Sequence, residues 1–166
     1  YLSDKGFDSS VAAASLSIIG FCNIIGSLVS GHLSGLYSKK WILTYIYGAR
    51  SIVIVLFLII PISTFTIYAF SFATGLLWLA TVPPTSGLVA QMFGLRFMGT
   101  LYGIVFLNHQ IGSFTGVWLG GYLFDTTGSY NQVWWWAAII AAITAIIHVF
   151  IDERPIERLR LSEKVI

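Results

Sequence analysis

Three consecutive polar side chains, Asn108, His109 and Gln110, lie near the middle of the apolar stretch Met98 to Tyr130, which has no charged residue before Asp125. About 20 apolar residues suffice for a helix to cross a bilayer, and polar groups at its centre are costly without partners or a wet cavity. Imidazole changes charge near neutral pH. The stretch therefore predicts a transmembrane helix whose centre handles substrate or protons, or whose histidine is hydrogen-bonded structure.

Glycines divide this helix into two faces. At about 100° per residue, one face carries His109 with Gly112, Gly116 and Gly120, and the other carries Gln110 with Gly99 and Gly103. Small residues let helices in lipid approach closely. We therefore expect protein on two sides of this helix.

The composition is that of a membrane protein. Hydrophobic residues make up 57% of the chain and charged residues 10%, with a mean hydropathy of +0.83, whereas soluble domains are about 25% charged. The sequence contains no phosphate-binding loop, metal-ligand pair or nucleophile elbow. It predicts no enzyme activity, no cofactor or metal and no nucleic-acid partner.

Five hydrophobic segments predict an all-α integral membrane protein. They lie at roughly 11–36, 41–60, 66–92, 98–124 and 133–150, and a charged, solvated tail follows at 151–166. Lys39, Lys40, Arg96 and Arg154 flank alternate ends of these segments. Because basic loops stay in the cytoplasm, the N-terminus is expected outside and the C-terminus inside.

The first two segments contain further polar groups at mid-membrane depth. A stripe of small residues in the first segment is interpreted as a packing seam, whereas Asn23, which lies in it at mid-depth, is either part of that seam or a ligand contact; the stripe consists of Ser17, Gly20, Asn23, Ser27, Gly31 and Ser34. Arg50 lies ~13 Å along its helix from Trp41. At that depth it is either an internally paired structural residue or an attractor of anionic substrate.

Two prolines interrupt the third segment. Pro83 and Pro84 lack backbone donors, so the helix is expected to bend or break beside them. Unwound backbone at membrane depth is tolerated only where protein or a water-filled cavity covers it. Trp78 is then a candidate wall of such a cavity, the alternative being a kink that serves packing alone.

The whole pattern resembles the C-terminal half of a major facilitator superfamily transporter of the monocarboxylate or oxalate-formate type. The residues that carry the likeness run from Arg96 to Trp136, RFMGTLYGIVFLNHQIGSFTGVWLGGYLFDTTGSYNQVWWW. The five segments correspond to the eighth to twelfth helices, with one more span and a six-helix half expected before Tyr1. The family's loop signature survives as Gly31, Lys39 and Lys40, with Gly35 in place of its acidic residue.

The resemblance implies a secondary transporter that works by alternating access in a bacterial or archaeal cell membrane. The expected partners are the N-terminal half of the transporter and the lipid bilayer. The substrate does not follow from the resemblance; because the segments contain no acidic residue at their centres, organic anions such as monocarboxylates are the expected substrates, and coupling to a proton would need His109 or residues outside this chain. The expected substrate-binding residues are His109, Asn108, Gln110, Asn23, Trp78 and Arg50. Gating or structural roles fall to Gly31, Pro83, Pro84, Gly112, Gly116, Gly120 and Asp125. Alternatives are an exporter of amphipathic compounds and, from another class, a membrane sensor or assembly subunit.

Overall fold

A computed structural model describes residues 1–3 and 5–156, and in that part of the chain all regular structure is helical. The six helices are α1 (Ser9–Leu36), α2 (Lys39–Ile59), α3 (Thr64–Trp78), α4 (Val82–Phe93), α5 (Met98–Thr127) and α6 (Asn131–Val149). The third predicted segment is thus two helices, as the two prolines predicted. The other predicted boundaries agree to within a few residues.

Four stretches of the described chain are long and apolar enough to cross a membrane: α1, α2, α3 together with α4, and α6. At 30 residues α5 is long enough, but it is not among the four. Its polar centre and its glycines lower its hydropathy, so its interior depends more on protein neighbours than the other spans do.

The tightest packing in the bundle joins α1 to α3. At Gly26 an added Cβ would overlap the backbone of Leu76, standing 2.7 Å from its carbonyl carbon, and at Gly75 it would lie 2.8 Å from the carbonyl oxygen of Ile19. Only glycine permits such an approach of two backbones. These two glycines therefore fix where the helices cross.

The seam on α1 differs from the predicted stripe. Its buried residues are Ser15, Cys22, Gly26, Ser30 and Ser34, whereas Ser17 and Gly20 are exposed. The predicted stripe and the observed seam lie on largely different faces of α1, because residue size alone does not show which face of a helix contacts its neighbour. Asn23 and Ser27 lie half-buried at the edge of the seam.

The second strong contact joins α2 to α6 through small residues. Ala138, Ala141 and Ala145 are the buried residues of α6, and Ser51 of α2 donates to the carbonyl of Ala138 at 2.8 Å. Small side chains bring the two backbones close enough for this interhelical bond. The two helices form one layer of the bundle.

In contrast, α5 lies at the edge of the described bundle. Its main packing partners are α4 and α6, and Gly120, beside Val133, is its single buried residue. Around Gly99, Gly103, Gly112 and Gly116 an added Cβ would meet nothing within 4 Å. The described residues therefore do not supply the protein neighbours that were expected on two sides of this helix.

The chain after α6 is not simply solvated as far as residue 156, because Glu153 fastens it to α2. The Glu153 carboxylate accepts from the Ser38 hydroxyl at 2.6 Å and from the backbone N–H of Lys40 at 2.7 Å. Gln91 at the end of α4 accepts from Lys39 and donates to the Glu153 carbonyl. We call this network the Glu153 brace. The remaining part of the predicted tail, 157–166, lies outside the described residues.

Ser38, the residue before α2, makes no capping hydrogen bond of its own. Glu153, from a distant part of the chain, caps the helix in its place. A distant carboxylate satisfies a free N–H group of the first turn and places negative charge at the positive end of the helix. Three helix ends are tied together by this one side chain and its backbone.

We predict that Gly26→Ala destabilises the protein by about 1 to 3 kcal/mol, since the new methyl group has to displace the backbone of α3. Gly20→Ala is the matched control, because an added Cβ there meets nothing within 4 Å. The melting temperature of the purified full-length protein should fall in the first variant and not in the second. Equal melting temperatures would contradict the close crossing.

We predict that Glu153→Ala loosens the start of α2 and costs about 1 to 3 kcal/mol, the range for hydrogen bonds to a charged group. Trypsin should then cleave after Lys39 and Lys40 faster than in the unaltered protein. Asp152→Ala is the control, because Asp152 is exposed and its ion pair within the described residues is with exposed Arg154 at 3.8 Å. Identical digestion of both variants would show that the brace does not form.

Candidate functional site

The interruption between α3 and α4 is the centre of the candidate site. The helix ends at Trp78 and resumes at Val82, so that Pro83 stands in the first turn of α4, where a missing N–H costs nothing. In a continuous helix the Val82 N–H would bond to Trp78, but here it donates to Leu79 at 3.0 Å. The carbonyls at the end of α3 are therefore left for other donors.

Arg50 of α2 supplies these donors. Its Nη2 donates to the carbonyls of Leu77 at 2.6 Å and Trp78 at 3.0 Å. The guanidinium carbon lies 5.2 Å from the centre of the Tyr47 ring, within the range of a cation–π interaction. Its Nε is buried and has no hydrogen-bond partner. The arginine is thus packed between its own helix and the end of α3.

Asn23 of α1 contacts the same turn as a hydrogen-bond acceptor, whereas Arg50 contacts it as a donor. Its Oδ1 accepts from the backbone N–H of Leu79 at 3.1 Å. An amide oxygen therefore holds a free N–H, while a guanidinium holds the two preceding carbonyls. Three of the predicted site residues, Asn23, Arg50 and Trp78, are brought together at this turn.

The side chains around the turn differ in exposure. The Trp78 side chain is 57% exposed. Pro84 is fully buried. A Cβ added at Gly31 would stand 3.7 Å from the Cβ of Pro83, so Gly31 and Pro83 lie close together. These residues pack the first turn of α4 against α1.

The polar centre of α5 forms a second, separate group. Asn108 donates to the carbonyl of Ile104 within its own helix at 2.9 Å, and the His109 ring lies 5.9 Å from that of Phe106. Both residues and Gln110 are exposed. Among the described residues no hydrogen bond or ring contact joins this group to Asn23, Arg50 or Trp78. Asp125, near the end of the same helix, is also exposed.

Tyr47 was not anticipated from the sequence. It contacts Arg50 and also lies 5.0 Å, between ring centres, from His148 of α6. Its position three residues before Arg50, one turn along the same helix face, was the available signal. A groove of about 520 Å³ lies elsewhere, at the start of α2, and none of the predicted site residues lines it.

Spans of this length, packed through glycine and alanine and interrupted at mid-depth, define a multi-pass membrane protein with a broken helix. The family model of the Major Facilitator Superfamily matches residues 1–165, and the chain belongs to that family. Membership points to a transporter rather than an enzyme.

One curated relative supports this placement. The chain is similar to an uncharacterised MFS-type transporter, YcxA, of Bacillus subtilis strain 168, with 26% identity over 146 residues. The match covers 84% of this chain and 36% of that protein, so the chain spans about a third of its relative's length. No solved structure matches the chain.

Proposed function

We propose that this chain is most of the C-terminal half of a secondary transporter that moves small organic solutes by alternating access. The observation that carries the proposal is the break at residues 79–81, where a tight turn interrupts the helix in the middle of one candidate membrane span. Such breaks survive at membrane depth where they are buried in protein or line a water-filled cavity. Transporters commonly build their substrate sites from interrupted helices near the midplane.

The depth of the break follows from helix lengths. At 1.5 Å per residue, α3 with its 15 residues is about 22 Å long and α4 with its 12 residues about 18 Å. The turn between them therefore lies near the centre of a hydrocarbon layer about 30 Å thick. The polar centre of α5 lies at a comparable distance along its helix, which supports a site shared by the two groups.

The charges favour an anionic substrate. Asp8, Asp125, Asp152 and Glu153, the acidic residues within the described ranges, lie outside the spans or at their ends. Arg50 and His109 are the basic groups near mid-span. A cation would be expected to meet a carboxylate in the site, so we favour small carboxylates such as monocarboxylates. Asn108, His109, Gln110, Asn23 and Trp78 are the proposed cavity residues.

The proposed setting is a bacterial or archaeal cell membrane, with the N-terminus outside and the C-terminus in the cytoplasm. The Glu153 brace contains Lys39, Lys40 and Glu153 at one end of the bundle, and its basic residues support the inside placement of that end. The exposed glycine faces of α5 are suited to helices of the same transporter, including its N-terminal half. A proton is the proposed coupling ion, with His109 as its carrier.

The test is uptake of radiolabelled lactate, formate and oxalate by the full-length protein in proteoliposomes. At least one of these carboxylates should accumulate, and uptake should vary between about pH 5 and 8, where histidine titrates. His109→Gln should lower uptake by about tenfold or more and flatten its pH dependence, in line with loss of a group that transfers protons.

His32→Gln is the matched control, because His32 is also an exposed helical histidine but lies near the cytoplasmic end of α1. It should transport like the unaltered protein. Unchanged kinetics of His109→Gln across this pH range would remove His109 from the site. Absence of carboxylate uptake together with efflux of a lipophilic dye would favour the exporter instead.

A further inference from the structure

We propose that Arg50 and Asn23 form a two-sided clamp that positions the turn between α3 and α4, and that Arg50 is a positioning residue rather than a ligand of the substrate. The two side chains come from different helices, α2 and α1, and meet on three consecutive residues, Leu77 to Leu79. The significance for transport rests on the proposed function, whereas the clamp itself does not.

The first step is that each side chain supplies what the broken backbone lacks. The backbone N–H of Val82 bonds to the carbonyl of Leu79 and not to that of Trp78, and the carbonyls of Leu77 and Trp78 bond to the Arg50 Nη2. The free N–H at Leu79 bonds to the Asn23 Oδ1. A backbone group left unpaired in hydrocarbon is strongly unfavourable, so the turn depends on both side chains.

The second step is that two of the three guanidinium nitrogens of Arg50 are already occupied or enclosed. Its Nη2 contacts two carbonyls, its guanidinium stands over Tyr47, and its Nε is buried with no hydrogen-bond partner among the described residues. A substrate anion has no access to a buried Nε. The fork that arginine usually offers to a carboxylate is therefore not free in this arrangement.

The third step is that the clamp is anchored on both sides. Asn23 lies three residues before Gly26 on α1, where that helix touches the backbone of Leu76. Arg50 stands next to Ser51, which bonds α2 to the Ala138 carbonyl of α6. Both side chains belong to helices that are packed firmly against a neighbouring helix. Together they therefore fix the direction in which α4 leaves α3.

We therefore expect loss of either arm to release α4 relative to α3. The measurement is the distance distribution between two spin labels in the full-length protein in lipid nanodiscs. The labels replace Phe65 at the start of α3 and Leu95 just beyond α4, which are 80% and 75% exposed, after every native cysteine, Cys22 included, has been replaced by serine. A straight path between them is roughly 45 Å, within range of pulsed electron resonance.

Arg50→Met removes the donors at similar volume, and Asn23→Leu removes the acceptor. Each should at least double the width of the distance distribution or shift its mean beyond the original width. Arg50→Lys and Asn23→Asp keep a donor and an acceptor respectively, and should restore the narrow distribution at least in part. Arg96→Gln and Asn131→Ala are controls at exposed positions away from the break.

Unchanged distributions in both Arg50→Met and Asn23→Leu would overturn the clamp. If Arg50→Met fails to fold, Asn23→Leu decides alone, because it removes a single uncharged hydrogen bond. These results need no substrate, so they stand even if the protein transports none of the carboxylates tested.

Transport kinetics then separate positioning from binding, with radiolabelled lactate as the probe wherever its uptake is measurable. A positioning role predicts that Arg50→Met lowers the maximal rate by about tenfold or more and changes KM by about twofold or less. A rise in KM of about tenfold or more at an unchanged maximal rate would show that Arg50 holds the anion and would contradict the proposal.

Discussion

A helix that crosses hydrocarbon has to satisfy every backbone N–H and C=O from within the protein, and this constraint governs the region around residues 79–81. Two adjacent prolines make a continuous helix impossible there. The groups that are freed are held by a guanidinium on one side and an amide oxygen on the other. Arg50 and Asn23 are costly residues at that depth, and the break explains why the chain contains them.

The close approach of α1 and α3 is what puts Asn23 within reach of the break. Gly26 and Gly75 let the two backbones touch one turn away from it. In lipid no hydrophobic force draws helices together, so contacts of this kind provide the packing energy. A change at the crossing would therefore affect the site without touching any polar residue. The structure links packing and site through this short stretch of chain.

Much of the fold and part of the candidate site could be predicted from the sequence. The remaining features could not, for reasons that differ from one feature to the next. The prolines marked the break and the hydropathy marked the spans, because both are local properties. The partners of Arg50 could not be assigned, since they are backbone atoms of residues that the helix break leaves free. Glu153 was assigned to a solvated tail because its contact with Ser38 joins residues 115 positions apart. The seam on α1 was misplaced because neighbouring small residues are equivalent until the partner helix is known.

The central claim is that α3 and α4 form one interrupted span with its break inside the bilayer. Single cysteines at positions 65 and 95, in a background with every native cysteine replaced by serine, should react with a membrane-impermeant maleimide from opposite sides. Position 65 should label in intact cells and position 95 only in inverted vesicles. Labelling of both positions from the same side would contradict the claim.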